Sequence, residues 1–66
     1  MSQHNHGYYI ISITLLGDEY ISYVYEPGNQ HHPIPNSPKT PKNLGEEACL
    51  IQVQEFLDAR DRKRAR

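Results

Sequence analysis

Residues 8–25 read YYIISITLLGDEYISYVY, and the assignment of this stretch decides the rest of the chain. Thirteen of its eighteen residues are Ile, Leu, Val, Tyr or Thr, side chains that pack across a pleated surface with little loss of rotamer freedom. Gly17-Asp18 interrupts the run, and Gly accepts the positive φ that a tight primed turn requires, so the two apolar halves fold back as a β-hairpin. With Gly17 and Asp18 at the tip, the register opposes Leu15 to Tyr20, Ile13 to Ser22 and Ile11 to Val24. One face then carries Tyr9, Ile11, Ile13, Leu15, Tyr20 and Val24. The other carries Tyr8, Ile10, Leu16, Ile21, Tyr23 and Tyr25, diluted by Ser12, Thr14 and Glu19. A hairpin with one wet face alternates apolar and polar residues; this one is apolar front and back, so both faces need cover.

One cover is supplied further down the chain. Cys49, Leu50, Val53, Phe56 and Leu57 recur at helical spacing and form a single apolar stripe, so the C-terminal segment is an amphipathic helix that packs on one face of the hairpin. The spacing starts the helix at Asn43, whose side chain caps the first turn while Glu46 reaches back to it. Glu46 and Glu47 near the start and the cations near the end match the helix dipole. Cys49 sits in the middle of the stripe, which makes it a small buried thiol rather than a nucleophile. Ile51 points nearly opposite the stripe and, with Ala48, Ala59 and the stem of Glu55, forms a small contact spot.

Between hairpin and helix, residues 27–42 contain all five prolines and hardly any apolar side chains, the composition of an extended loop. Pro35, Pro38 and Pro41 fall at a period of three, which lines them up along one edge of a polyproline II segment. The nearest aromatic partners for that edge are the chain's own tyrosines, so the loop is expected against part of the Tyr-rich face. Ser37-Pro38 and Thr40-Pro41 also have the form of proline-directed phosphorylation sites.

The expected architecture is α+β, specifically ββα. A flexible N-terminal segment occupies residues 1–7, a single domain with the Pro-rich loop 27–42 spans 8–59, and a basic helix end or tail fills 60–66. A 66-residue chain hides only about 60% of its unfolded surface, so help from a partner is expected. A dimer is the simplest source, through edge-to-edge strands or stacked tyrosine faces. A single Cys excludes an internal disulfide, no run reaches the roughly 18 apolar residues of a bilayer span, and no leader pattern is evident; the expected location is the cytoplasm.

Three function classes follow, in descending order of support. A small non-enzymatic protein-binding regulator or inhibitor, of the sort phages and mobile elements encode, would mask a target through the strand edge or through Tyr8, Ile10, Ile21, Tyr23, Tyr25 and Ile51. Tyrosine favours interfaces because its area is large, stiff and partly polar. The alternative is a dimeric nucleic-acid-binding accessory protein. The net charge is −1, yet all seven Lys and Arg lie at Lys39 or later, and Arg60, Arg62, Lys63, Arg64 and Arg66 crowd the end of the chain. Those cations suit salt-sensitive, sequence-blind phosphate binding, although no basic face is interleaved with aromatics. Enzymatic activity ranks last, because no nucleophile and base, and no pair of acids, falls at a working spacing, and no cofactor motif is present. His4 and His6, with His31 and His32, are weak candidates for a metal site: imidazole is a good ligand, but the cysteine pairing and spacing of structural zinc sites are missing.

Overall fold

The computed structural model describes residues 2–29 and 31–64. The hairpin forms in the expected register, with β2 over Tyr9–Leu16 and β3 over Glu19–Tyr25, and with Ile11 opposite Val24, Ile13 opposite Ser22 and Leu15 opposite Tyr20. Gly17 adopts φ 62°, and Asp18 is not in the left-handed region. A positive φ at the first central position alone is the type II′ pattern, whose twist matches that of the flanking strands.

The sheet is larger than the hairpin. Four antiparallel strands, β1 (Ser2–His6), β2, β3 and β4 (Lys39–Pro41), lie side by side in that order and are followed by one C-terminal helix, an α+β fold. Ser2–His6, which composition assigns to a flexible segment, is β1 and pairs with Ser12, Ile11 and their neighbours on β2 through a second Gly-led turn at Gly7-Tyr8, where Gly7 has φ 62°. Its backbone joins the ladder although its side chains have low strand preference, because tertiary pairing overrides propensity. Lys39–Pro41, inside the expected loop, is β4 and pairs with Glu19–Ile21 of β3. Pro41 donates nothing to a ladder and is tolerated because β4 is an edge.

The helix α1 spans Glu46–Arg64. It begins later than the capping pattern indicates. Lys42–Leu44 forms a 3-10 turn closed by a bond from the Gly45 amide to the Lys42 carbonyl at 3.1 Å, and Gly45 at φ 88° separates that turn from α1. Asn43 therefore lies inside the 3-10 turn and does not cap α1. The Lys42 amide donates to the Asp18 carbonyl at 2.8 Å, which ties this junction to the tip of the β2–β3 hairpin.

Helix and sheet bury one layer between them. Tyr9, Ile11, Ile13 and Val24 from the inner face meet Cys49, Val53 and Leu57 from the apolar stripe, with Tyr20, Leu50 and Phe56 packed at the margin. Leu15 shares the inner register but is 41% exposed near the hairpin tip. Ile34, the one aliphatic side chain in the Pro-rich stretch, completes the core at 5% exposure, and its amide donates to the Val24 carbonyl at 2.8 Å. The loop thus closes the flank of the inner layer, a different place from the tyrosine face expected of it. Ser22 Oγ donates to the Pro38 carbonyl at 2.7 Å and Ser37 Oγ to the Ser22 carbonyl at 2.8 Å, so the loop is fastened along the part of β3 that β4 does not reach.

Candidate interaction surface

Strand alternation sets the outer face of the sheet. On β2 it presents Ile10, Ser12, Thr14 and Leu16, and on β3 Glu19, Ile21, Tyr23 and Tyr25. The register makes Ile10 face Tyr25, Ser12 face Tyr23 and Thr14 face Ile21. Directly opposed side chains on one face stand about 5 Å apart, so these residues form one connected patch. Ile10, Ile21 and Tyr25 are half-buried against their neighbours, whereas Tyr23 is 40% and Leu16 63% exposed. On the flanking strands Asn5 pairs with Ile10, Gln3 with Ser12, and Lys39 with Ile21, which frames an apolar centre with a polar rim. That is the anatomy of a protein interface core and its rim. Helix α1 packs on the other side of the sheet.

Four of the six residues singled out in the sequence, Ile10, Ile21, Tyr23 and Tyr25, therefore meet on this face. Tyr8 is at its corner: it lies in the β1–β2 turn, 56% exposed, with its ring centroid 4.7 Å from that of the inner-face Tyr9. Ile51 does not join them. It is 47% exposed on the helix, on the far side of the molecule. Leu16 belongs with the patch, and its membership was visible in the alternation of β2.

The strand edges are less open than a two-stranded hairpin would leave them. β1 closes the edge of β2, while β4, the Ile34 amide and Ser37 occupy that of β3. A free edge on the second hairpin strand, available for pairing with a partner, is thereby excluded.

The four histidines do not converge. Among the described residues no group of three or more His, Cys, Asp or Glu side chains is placed to hold a metal ion. His4 and His6 instead fasten β1 to the helix: His6 Nε2 lies 2.9 Å from Asp58 Oδ1, and His4 Nε2 lies 4.0 Å from Glu46 Oε2 and 3.0 Å from Ser2 Oγ. His31 and His32 are exposed in the loop. Alongside these contacts, the Tyr9 hydroxyl donates to Asp61 Oδ1 at 2.7 Å, and burial first, then this bond, holds its phenol above the ordinary tyrosine value.

The basic end is partly committed as well. Arg60 reaches Glu26 with an N–O distance of 3.6 Å, while Arg62 and Lys63 are exposed. Arg64 closes α1, and Arg66 lies outside the described residues. Cys49 is fully buried and donates to the Tyr20 carbonyl at 3.8 Å. Desolvation pushes its thiol up, with Glu46 adding and the Thr40 hydroxyl opposing. Thr40 itself is only 6% exposed and points into the inner layer, so a kinase would have to detach β4 to reach it; Ser37 is half-buried. Among the described residues no helix is long and apolar enough to cross a membrane.

Comparison with known proteins finds no matching family model, no similar curated protein and no similar solved structure.

Proposed function

We propose that the chain is a small, non-enzymatic, cytoplasmic protein-binding regulator or inhibitor that engages its target through the outer face of the sheet. The observation that carries this reading is the uncovered patch of Ile10, Leu16, Ile21, Tyr23 and Tyr25, framed by Gln3, Asn5 and Lys39, on the side of the sheet that α1 does not touch. A fully exposed apolar side chain gains about 1.5–3 kcal/mol on full burial and the half-buried Ile10, Ile21 and Tyr25 a part of that, while Tyr contributes area at low entropic cost. The same patch is self-complementary in character, which supports a homodimer as the resting state.

The test is capture from the native host at high salt, comparing the tagged wild-type chain with an Ile21→Lys/Tyr23→Lys double variant. The reading expects a partner retained by the wild type and lost with the variant, and light scattering should show the wild type heavier in solution than the variant. A partner held equally by both chains sinks the reading. So does capture that disappears with nuclease or falls steeply with salt, which would favour the Arg-rich end of α1 and nucleic acid instead.

A further inference from the structure

The sheet face leaves unexplained a second feature, a cleft of about 440 Å³ between the Pro-rich loop and the C-terminal half of α1, lined by Pro35, Asn36, Phe56, Ala59, Arg60 and Lys63. Its volume falls in the lower part of the range of about 300–1,000 Å³ typical of small-ligand sites. Phe56, Ala59, Arg60 and Lys63 are spaced i, i+3, i+4 and i+7, so one helix face forms the floor, and Pro35 and Asn36 supply the opposite wall. The chemistry is graded along that floor. Phe56 and Ala59 offer an apolar end, and one turn later Arg60 and Lys63 offer two cations. Arg60 reaches Glu26 with a terminal nitrogen, but its Nε is buried with no hydrogen-bond partner. That nitrogen is shielded from solvent, so the cations a ligand meets in the cleft are the guanidinium end of Arg60 and the ammonium of the exposed Lys63.

We propose that this cleft binds the C-terminal end of a partner polypeptide whose last residue is apolar, with the terminal side chain on Phe56, Ala59 and Pro35 and the α-carboxylate at Arg60 and Lys63. A chain end suits the grading because its carboxylate and its last side chain branch from the same Cα, so both enter one cleft together. An extended internal segment can offer an apolar and an acidic side chain on one side only from positions two apart, about 7 Å along the strand, whereas a chain end presents both from one Cα. A nucleic acid fits less well. Arg62 leaves α1 about 200° round from Arg60, and Glu26 sits beside Arg60, so the cleft itself offers two cations and no longer basic track. Two cations suffice for a single carboxylate, whereas a chain of phosphates calls for a longer run of them. This site is separate from the outer sheet face, and its test stands whether or not that face proves to be an interface.

The experiment is an amide-shift titration of the isotope-labelled protein with acetyl-Gly-Gly-Phe carrying a free carboxylate, with the same peptide as its C-terminal amide, with phenylpropionate and with a short oligothymidylate. The free-acid peptide should shift Asn36 and the amides from Phe56 to Lys63 with millimolar affinity, and the amide should bind about tenfold more weakly or worse. Lys63→Gln should weaken the acid peptide severalfold while leaving the thermal melt unchanged, since Lys63 is exposed. Arg60→Gln should weaken it further. Equal binding of acid and amide, or no shift at the cleft with either, overturns the proposal. So does phenylpropionate binding as tightly as the peptide, which would mark a site for free acids, or oligothymidylate shifting the cleft resonances at lower concentration than the peptide does.

Discussion

Replacing Ile34 with Ala tests whether the Pro-rich stretch is a structural part of the core. Ile34 is 5% exposed and belongs to the same cluster as Ile11, Val24 and Leu57, yet it sits among residues whose composition is that of a linker. The substitution removes about three carbon groups worth about 0.8 kcal/mol each, or about 2.4 kcal/mol of transfer energy. The residual cavity adds to this, which places the expected loss at about 2.5–4 kcal/mol. The amide of residue 34 keeps its bond to the Val24 carbonyl in the variant, so the side chain alone is probed. A 66-residue chain has roughly 3–10 kcal/mol of total stability. With a urea m-value near about 1 kcal/mol/M, the midpoint should fall by about 2 M or more, and the variant is close to unfolding at room temperature. The assay is urea denaturation followed by far-UV dichroism, with Ile51→Ala as the control. Ile51 is 47% exposed and its truncation should cost under about 0.5 kcal/mol. If Ile34→Ala lowers stability no more than Ile51→Ala does, Ile34 is not a core residue and the loop does not close the flank of the sheet.

Three further outcomes are expected. Tyr9→Phe should cost about 1–2 kcal/mol at neutral pH through the lost bond to Asp61; because the folded phenol is held above its ordinary value, the wild-type advantage is complete below about pH 10 and lost as pH rises beyond it, so parallel stability curves for the two proteins across the alkaline range would contradict the assignment. The Cys49 thiol should react with Ellman's reagent about 100-fold or more slowly in the native protein than in urea, given its full burial; a native rate within about tenfold of the unfolded one would place it at the surface. Gly17→Ala should destabilise by about 1–2 kcal/mol because φ is 62° there, with Gly17→Asn milder; thermal melts of the two variants in the opposite order would rule out the left-handed turn.

How much of this was legible in the sequence depended on whether a rule of local chemistry applied. The β2–β3 register followed from the Gly17 turn and a period of two, and the helix stripe from Cys49 to Leu57 followed from a period near 3.6, because burial enforces both patterns over several residues. β1 escaped because SQHNH carries no apolar alternation: its pairing is backbone, and its inner positions Ser2, His4 and His6 are satisfied by polar contacts instead of grease. The one local sign of it, a Gly7-led turn ahead of an apolar strand, mirrors the turn at Gly17. β4 has three residues, too few for any periodicity, and a single aliphatic side chain such as Ile34 makes no pattern at all. The helix start was misplaced because Asn43 and Glu46 satisfy a capping box on paper, while the 3-10 turn and Gly45 put the actual break two residues later. The outer face was legible for the same reason as the register, since Ile10, Ile21, Tyr23 and Tyr25 alternate with the buried set.

The two strands missed by composition change the argument about partners more than they change the fold. A bare hairpin offers a partner two ladder edges and a face, and these imply different assemblies: main-chain pairing at an edge, side-chain packing on the face. β4 and the loop remove the β3 edge, and β1 exchanges the apolar β2 edge for a polar one that begins at Ser2 and carries His4 and His6, both tied inward to α1. Main-chain pairing at β1 remains geometrically open but brings little apolar area with it, since the side chains of SQHNH are polar throughout. The outer face keeps its Ile, Leu and Tyr side chains whichever strands flank it. Adding strands at both edges thus shifts the balance from edge pairing to face packing, and the choice is open to experiment. An Asn5→Pro variant removes a backbone donor from β1 and would weaken an edge-paired dimer while leaving every apolar side chain of the patch in place, whereas Ile21→Lys would weaken a face-packed dimer without touching the edge. Light scattering on the pair should show dissociation with Ile21→Lys and retention with Asn5→Pro; the reverse order would relocate the interface to β1.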